Sequence, residues 1–156
     1  MIRLAQAKDA AAIADIWNHA IRDTAITFTT AEKTPQQILD QIAQHPFFVC
    51  ELEGQVAGFV TCSQFRNGPG YAHTAEHSIH VLEAAKGRGH GAALMAALEE
   101  AARAQGVHVM VAGISGENIA GQKFHAAIGY HDVGRMPEVG RKFGRWHDLV
   151  LMQKFL

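Results

Sequence analysis

At 156 residues, with 48% hydrophobic and 19% charged residues, the chain has the composition of a folded globular protein long enough to bury a real core. Its formal net charge of -1 leaves no electrostatic footprint for nucleic acid or for an anionic membrane. Cys50 and Cys62 both lie in apolar segments, which points to a reducing compartment rather than a disulfide framework.

The N-terminus, MIRLAQAKD, has no signal-peptide h-region, and no apolar run approaches membrane-spanning length. A single cytoplasmic domain over 1–156 is expected. Ile2-Arg3-Leu4 alternates as a short first strand. Asp9 is placed to cap a helix whose apolar face is Ile13, Ile16, Trp17, Ala20 and Ile21. Thr34-Pro35-Gln36-Gln37 opens a second helix: threonine as cap, proline in the first turn, glutamine closing a capping box. Ile38, Leu39 and Ile42 form its buried stripe, and His45-Pro46 ends it. Phe47–Leu52 and Val56–Phe65 read as strands joined by a hairpin at Glu53-Gly54-Gln55. Arg66-Asn67-Gly68-Pro69-Gly70 is a turn cluster, and Thr74–Val81 is a strand with β-branched residues. After the segment Lys86-Gly87-Arg88-Gly89-His90-Gly91, Ala92–Ala102 is rich in strong helix formers. Val107–Ile114 is almost continuously apolar, as in a strand covered on both faces. Glu117–Ile128 reads as a helix with Gly129 at its C-terminal cap, Arg135–Gly144 as a loop with proline and two glycines, and Trp146–Phe155 as the last strand. The order gives an α/β layered domain with a mixed sheet and helices on both faces.

A glycine-rich turn that opens a helix aims several unpaired N–H groups at one point, where the helix dipole also favours an anion. Gly87-x-Gly89-x-x-Ala92 nearly matches a dinucleotide fingerprint, but the following strand ends Val111-Ala112-Gly113-Ile114 without the acidic residue such a site needs. The Gly-Lys-Ser/Thr of a phosphate-binding kinase loop is absent as well. On Thr74–Val81, alternation places Thr74, Glu76, Ser78 and His80 on one face and Ala75, His77, Ile79 and Val81 on the other. Glu76 thus belongs to a polar stripe leading toward the glycine turn. Alternation also separates His80 from His73 and His77, so no metal site is expected among the ten histidines.

Together these segments resemble the GCN5-related N-acetyltransferases (GNAT). Lys86-Gly87-Arg88-Gly89-His90-Gly91 is similar to that superfamily's pyrophosphate loop, Gln/Arg-x-x-Gly-x-Gly/Ala, with lysine in first place. His73–Ser78, His108–Ile114 with Glu117-Asn118, and Met136–Asp148 resemble the phosphinothricin and methionine sulfoximine/sulfone N-acetyltransferases. The resemblance implies an α/β GNAT fold, with a mixed central sheet of about seven strands and about four helices. It implies acetyl-CoA as co-substrate and no metal. The pyrophosphate would sit on Lys86, Gly87, Arg88, Gly89, His90, Gly91 and Ala92. The pantetheine arm would pair with Ile79, His80 and Val81, and Asn118 and Gly121 would stand beside the cofactor. Glu76 is implied as the base that deprotonates the amine, His125 as general acid for the leaving thiolate, and Phe28, Phe65, Arg66, Thr74 and Lys142 as substrate contacts near a homodimer interface. The expected reaction is direct acetyl transfer to the α-amine of a small amino-acid-like substrate, with no nucleic-acid or membrane partner. Departures are Leu82-Glu83-Ala84 for the usual His-Pro-x, His80 for a common tyrosine, Gly121 for alanine or serine, and Ala72 for an arginine. Two other readings stay open: acetylation of a protein N-terminus or lysine, and a non-enzymatic acetyl-CoA-binding module.

Overall fold

The structure is a computed structural model describing residues 1–156. The elements are β1 (Ile2–Leu4), α1 (Ala10–Asp23), α2 (Pro35–Ile42), β2 (Phe47–Leu52), β3 (Gln55–Gln64), β4 (Thr74–Val81), α3 (His90–Ala104), β5 (Val109–Ser115), α4 (Ile119–Ala127), β6 (His131–Lys142) and β7 (Arg145–Phe155). The seven strands form one sheet in the order β1-β2-β3-β4-β5-β7-β6. Only β4 and β5 run parallel, joined through α3, as a parallel pair needs a crossover connection.

Each face of the sheet is covered. On one side α3 buries Leu94, Met95 and Leu98 against Val60, Cys62, Met110, Ala112 and Met152, with Phe124 of α4 packed beside them. On the other, α1 and α2 bury Ile13, Ile16 and Ile38 against Phe47, Val49 and Phe59. Cys50 and Cys62 are free, buried thiols. No helix is long and apolar enough to cross a membrane.

Local chemistry explains the element ends. Thr34 accepts from the Gln37 amide at 3.2 Å while the Gln37 side chain accepts from the Thr34 amide at 2.9 Å, the expected reciprocal box. Glu53 and Gly54 both have positive φ, 53° and 78°, as a two-residue hairpin needs. Asp9 departs from expectation. Its carboxylate makes no cap bond to α1; it accepts from the Gln6 amide and pairs with both terminal nitrogens of Arg3, at 2.7 and 3.0 Å.

The expected loop Arg135–Gly144 is mostly strand. β6 runs to Lys142 and turns into β7 through Phe143 and Gly144, both at positive φ. Phenylalanine is an unusual residue in that turn, which hides it from composition. Pro137 is tolerated because β6 is an edge strand and its register slips between Met136 and Gly140.

Candidate active site

The sheet opens where its two parallel strands part. β4 pairs with β3 along its whole length, from Ala75↔Gln64 to Val81↔Gly58. It pairs with β5 only at Thr74↔Val109, Ala75↔Met110 and Glu76↔Val111, whereas β5 stays with β7 as far as Ser115. Beyond Glu76, the edge of β4 that carries Ile79, His80 and Val81 therefore has no strand beside it. Unpaired backbone groups within a sheet are receptors for an extended chain.

β4 leads from this opening into the glycine turn. Gly87 and Gly89 sit at φ 71° and 81°, a region in which any side chain is strained. Gly89 is the N-terminal boundary of α3, and Ala93 is the first residue of that helix whose amide reaches back, to Gly89. The amides of His90, Gly91 and Ala92 precede this first bond and are directed out of the helix end, an arrangement suited to a phosphate. Gly91 serves packing as well: a Cβ there would lie 3.2 Å from the Phe124 ring of α4. Arg88 is exposed, and Lys86 is paired with Glu83 at 2.7 Å.

Glu76 faces the α1/α2 side. With Trp17, Gln41, His45, Thr61, Ser63 and Ser78 it lines a cleft of about 240 Å³. Its carboxylate makes no hydrogen bond within the chain, and burial pushes its pKa above the usual carboxylate value. Room for it is made by Gly113 on β5, where a Cβ would stand 2.7 Å from Oε1. Gly113 was not singled out from the sequence, although a lone glycine inside an apolar strand was the available signal. Trp17 was assigned to the core stripe of α1; it is half-buried and forms a wall of this cleft. The His80 ring packs on the same side, 5.9 Å from Trp17 and 5.4 Å from Phe59, and burial lowers its pKa to about 4.

The opposite face of β4 carries His77, which meets His125 of α4 with 2.9 Å between their Nε2 atoms. His125 Nδ1 lies 2.7 Å from the Gly121 carbonyl, which can only accept, so Nδ1 carries the proton. His125 Nε2 is then the acceptor and His77 Nε2 the donor. Both rings are buried, and both titrate below the ordinary histidine value, His77 at about 3, chiefly through desolvation. Neither nitrogen of His125 is free to deliver a proton in this arrangement. Beside the pair, the Tyr130 hydroxyl donates to Glu99 at 3.0 Å, and Lys154 donates to the other Glu99 oxygen at 2.6 Å. Asn118 caps α4 by accepting from the Gly121 amide at 2.9 Å; its side chain fills the space a Cβ at Gly121 would need.

The residues implied as substrate contacts do not converge. Thr74 pairs with Val109 at the base of β4. Phe65 and Arg66 gather around Tyr71 past the end of β3. Phe28 presses on Gly140 and stacks on His147, with ring centroids 5.4 Å apart. Lys142 is 3% exposed and donates to the Thr24 and Thr27 carbonyls at 2.6 and 2.8 Å. It ties the β6–β7 hairpin to the segment after α1 and does not reach the Glu76 cleft.

Comparisons with known proteins identify the family and the fold. Residues 2–151 match the Acetyltransferase (GNAT) domain family. The L-methionine sulfoximine/L-methionine sulfone acetyltransferase of Salmonella typhimurium is 40% identical, the alignment covering 97% of this chain and 92% of that protein. The phosphinothricin N-acetyltransferase of Streptomyces coelicolor is 36% identical over 94% of this chain and 91% of its own length. A Salmonella typhimurium acetyltransferase solved with its cofactor acetyl-CoA superposes with a TM-score of 0.95 at 38% identity, covering 100% of this chain and 93% of that one.

Proposed function

The chain belongs to the GNAT acetyltransferases and is an acetyl-CoA-dependent N-acetyltransferase, and from that premise we propose that Glu76 and the β4/β5 opening form its reaction centre for small amino-acid substrates. The supporting observation is the continuous path from the glycine turn, along the unpaired edge of β4, to a carboxylate with raised pKa in a cleft.

In this reading the amides from Gly87 to Ala92 hold the diphosphate, and the backbone of Ile79, His80 and Val81 pairs with the pantetheine arm. An ammonium substrate is unreactive until it loses a proton. Glu76 accepts that proton through a water, and its raised pKa makes it a better base near neutrality than an ordinary glutamate. The amine nitrogen then bonds to the thioester carbon, a backbone N–H of β4 polarises the carbonyl oxygen, and the C–S bond breaks. The second proton lost from nitrogen goes to sulfur, so CoA leaves as a thiol without drawing on His125. His125, His77, Asn118 and Gly121 then serve to fix α4 beside the opening.

The substrate class is an α-amino acid of the methionine sulfoximine, methionine sulfone or phosphinothricin kind, as the names of the relatives suggest. A turnover screen with acetyl-CoA against these three and the ordinary amino acids tests it; acetylation of peptides but of no free amino acid would replace it with a protein-directed activity. We also read the protein as a cytoplasmic homodimer. The exposed Val133, Met136, Val139, Phe143 and Trp146 on the β6–β7 hairpin support a subunit contact, which light scattering can check.

A further inference from the structure

An α-amino acid brings a carboxylate as well as an ammonium, and the walls of the cleft with Glu76 hold no lysine or arginine, His45 being their one basic side chain. We infer that Lys33 is the cation that recognises the substrate carboxylate, an inference that rests on the amino-acid reading given above.

Three other basic side chains near the helical face are engaged. Arg3 holds Asp9 and Glu51, Arg22 holds Glu32, and Lys142 is locked on two backbone carbonyls. Arg66 is exposed over Tyr71, away from the cleft walls. Lys33 has no acidic partner and no hydrogen bond from its ammonium. Its Nζ rests 4.8 Å above the ring of Trp17, the same ring that walls the cleft holding Glu76.

The root of this side chain is fixed. Asn18, next to Trp17 on α1, donates to the Lys33 carbonyl at 2.8 Å and accepts from the Lys33 amide at 2.7 Å. The capped start of α2 follows at Thr34, and α2 contributes Gln41 to the cleft. Lys33 is therefore pinned between the two helices that frame the site, with a free ammonium held only by an aromatic face. A carboxylate offers that ammonium a stronger charge-assisted hydrogen bond than the ring does. A zwitterion bound with its ammonium toward Glu76 and its carboxylate toward Lys33 satisfies both charges.

The test compares an amino-acid substrate with its primary amide, in which the carboxylate is neutralised. For Lys33→Gln, KM for the acid rises about 10- to 100-fold, the range expected for one hydrogen bond between charged groups. In the same variant kcat stays close to wild type, KM for the amide changes little, and the wild-type preference for acid over amide disappears. Lys33→Arg restores most of that preference. Equal losses for acid and amide would make Lys33 a structural residue only. A loss of preference in Arg66→Gln but not in Lys33→Gln would move the anchor to Arg66. If the wild type acetylates neither acid nor amide, the amino-acid reading falls and the anchor with it, a result distinct from an unchanged preference.

Discussion

Glu76 and His77 are neighbours on β4, yet they face two different solvents. On the α3/α4 side the polar groups around His77 are paired, His125 with His77 and Gly121, Glu99 with Tyr130 and Lys154, and of these side chains only His77 Nδ1 is left without a partner. On the α1/α2 side Glu76 has none, and a glycine on the next strand keeps space around it. Burial alone does not mark a working group, because His77 is the more buried of the two. The difference is between a group sealed in packed core, where a histidine pair adds rigidity, and a group whose open valence faces a cleft and is able to meet a substrate.

The largest expected effect breaks the open side. Glu76→Gln lowers kcat/KM by roughly 10²- to 10⁴-fold, the usual contribution of a general base, and removes the acid limb of its pH profile. In the wild type that limb lies above the ordinary glutamate value, since burial raises the Glu76 pKa. Steady-state kinetics from pH 5 to 9 reads both effects, and an unchanged profile in Glu76→Gln removes the base assignment.

Next in size, the closed side is expected to fail in acid. His77 and His125 have folded pKa values below 6.5, so the unfolded chain takes up protons first. The stability they allow is present above about pH 6.5 and is lost as pH falls toward about 3, by a few kcal/mol in total. Glu76 has the opposite sign: its raised folded pKa favours the protonated native state, so acidification through that pKa adds a little stability. Calorimetry across pH separates the two. Replacing the histidine pair with His77→Phe and His125→Leu together flattens the descending slope if the pair causes it.

Smaller effects sharpen the contrast at its edges. Gly89→Ala forces a side chain into φ 81°, at a cost of about 1–2 kcal/mol, and raises KM for acetyl-CoA more than KM for the amine. Equal changes in both constants would detach the glycine turn from the donor site. Thr34→Ala removes the cap of α2 and costs about 1 kcal/mol in chemical denaturation, with a modest rise in amine KM because α2 carries Gln41.

Much of the fold was legible because its signals are local. β4 has the limits alternation assigned to it, α2 begins at its capping box, and Gly129 has the positive φ, 99°, of a helix-ending glycine. The β6–β7 hairpin was illegible for a local reason too: Phe143 occupies a turn position that sequence statistics reserve for asparagine or glycine. The site was legible by motif and by resemblance, but only in part. Lys142 read as a substrate contact, and whether a lysine is available to a substrate depends on what folds over it. Here the carbonyls of Thr24 and Thr27, more than a hundred residues away in sequence, close around it.

By itself the sequence determined six of the seven strands and the four helices, the alternation that sends Glu76 and His77 to opposite faces, and the glycine turn at the head of α3. These follow from backbone geometry within a few residues. Tertiary structure alone decided that β4 and β5 part after Glu76, that Gly113 clears space for its carboxylate, and that Lys33 lies on Trp17 while Lys142 is locked away. Those facts depend on which distant groups come to lie side by side, and no local spacing records that.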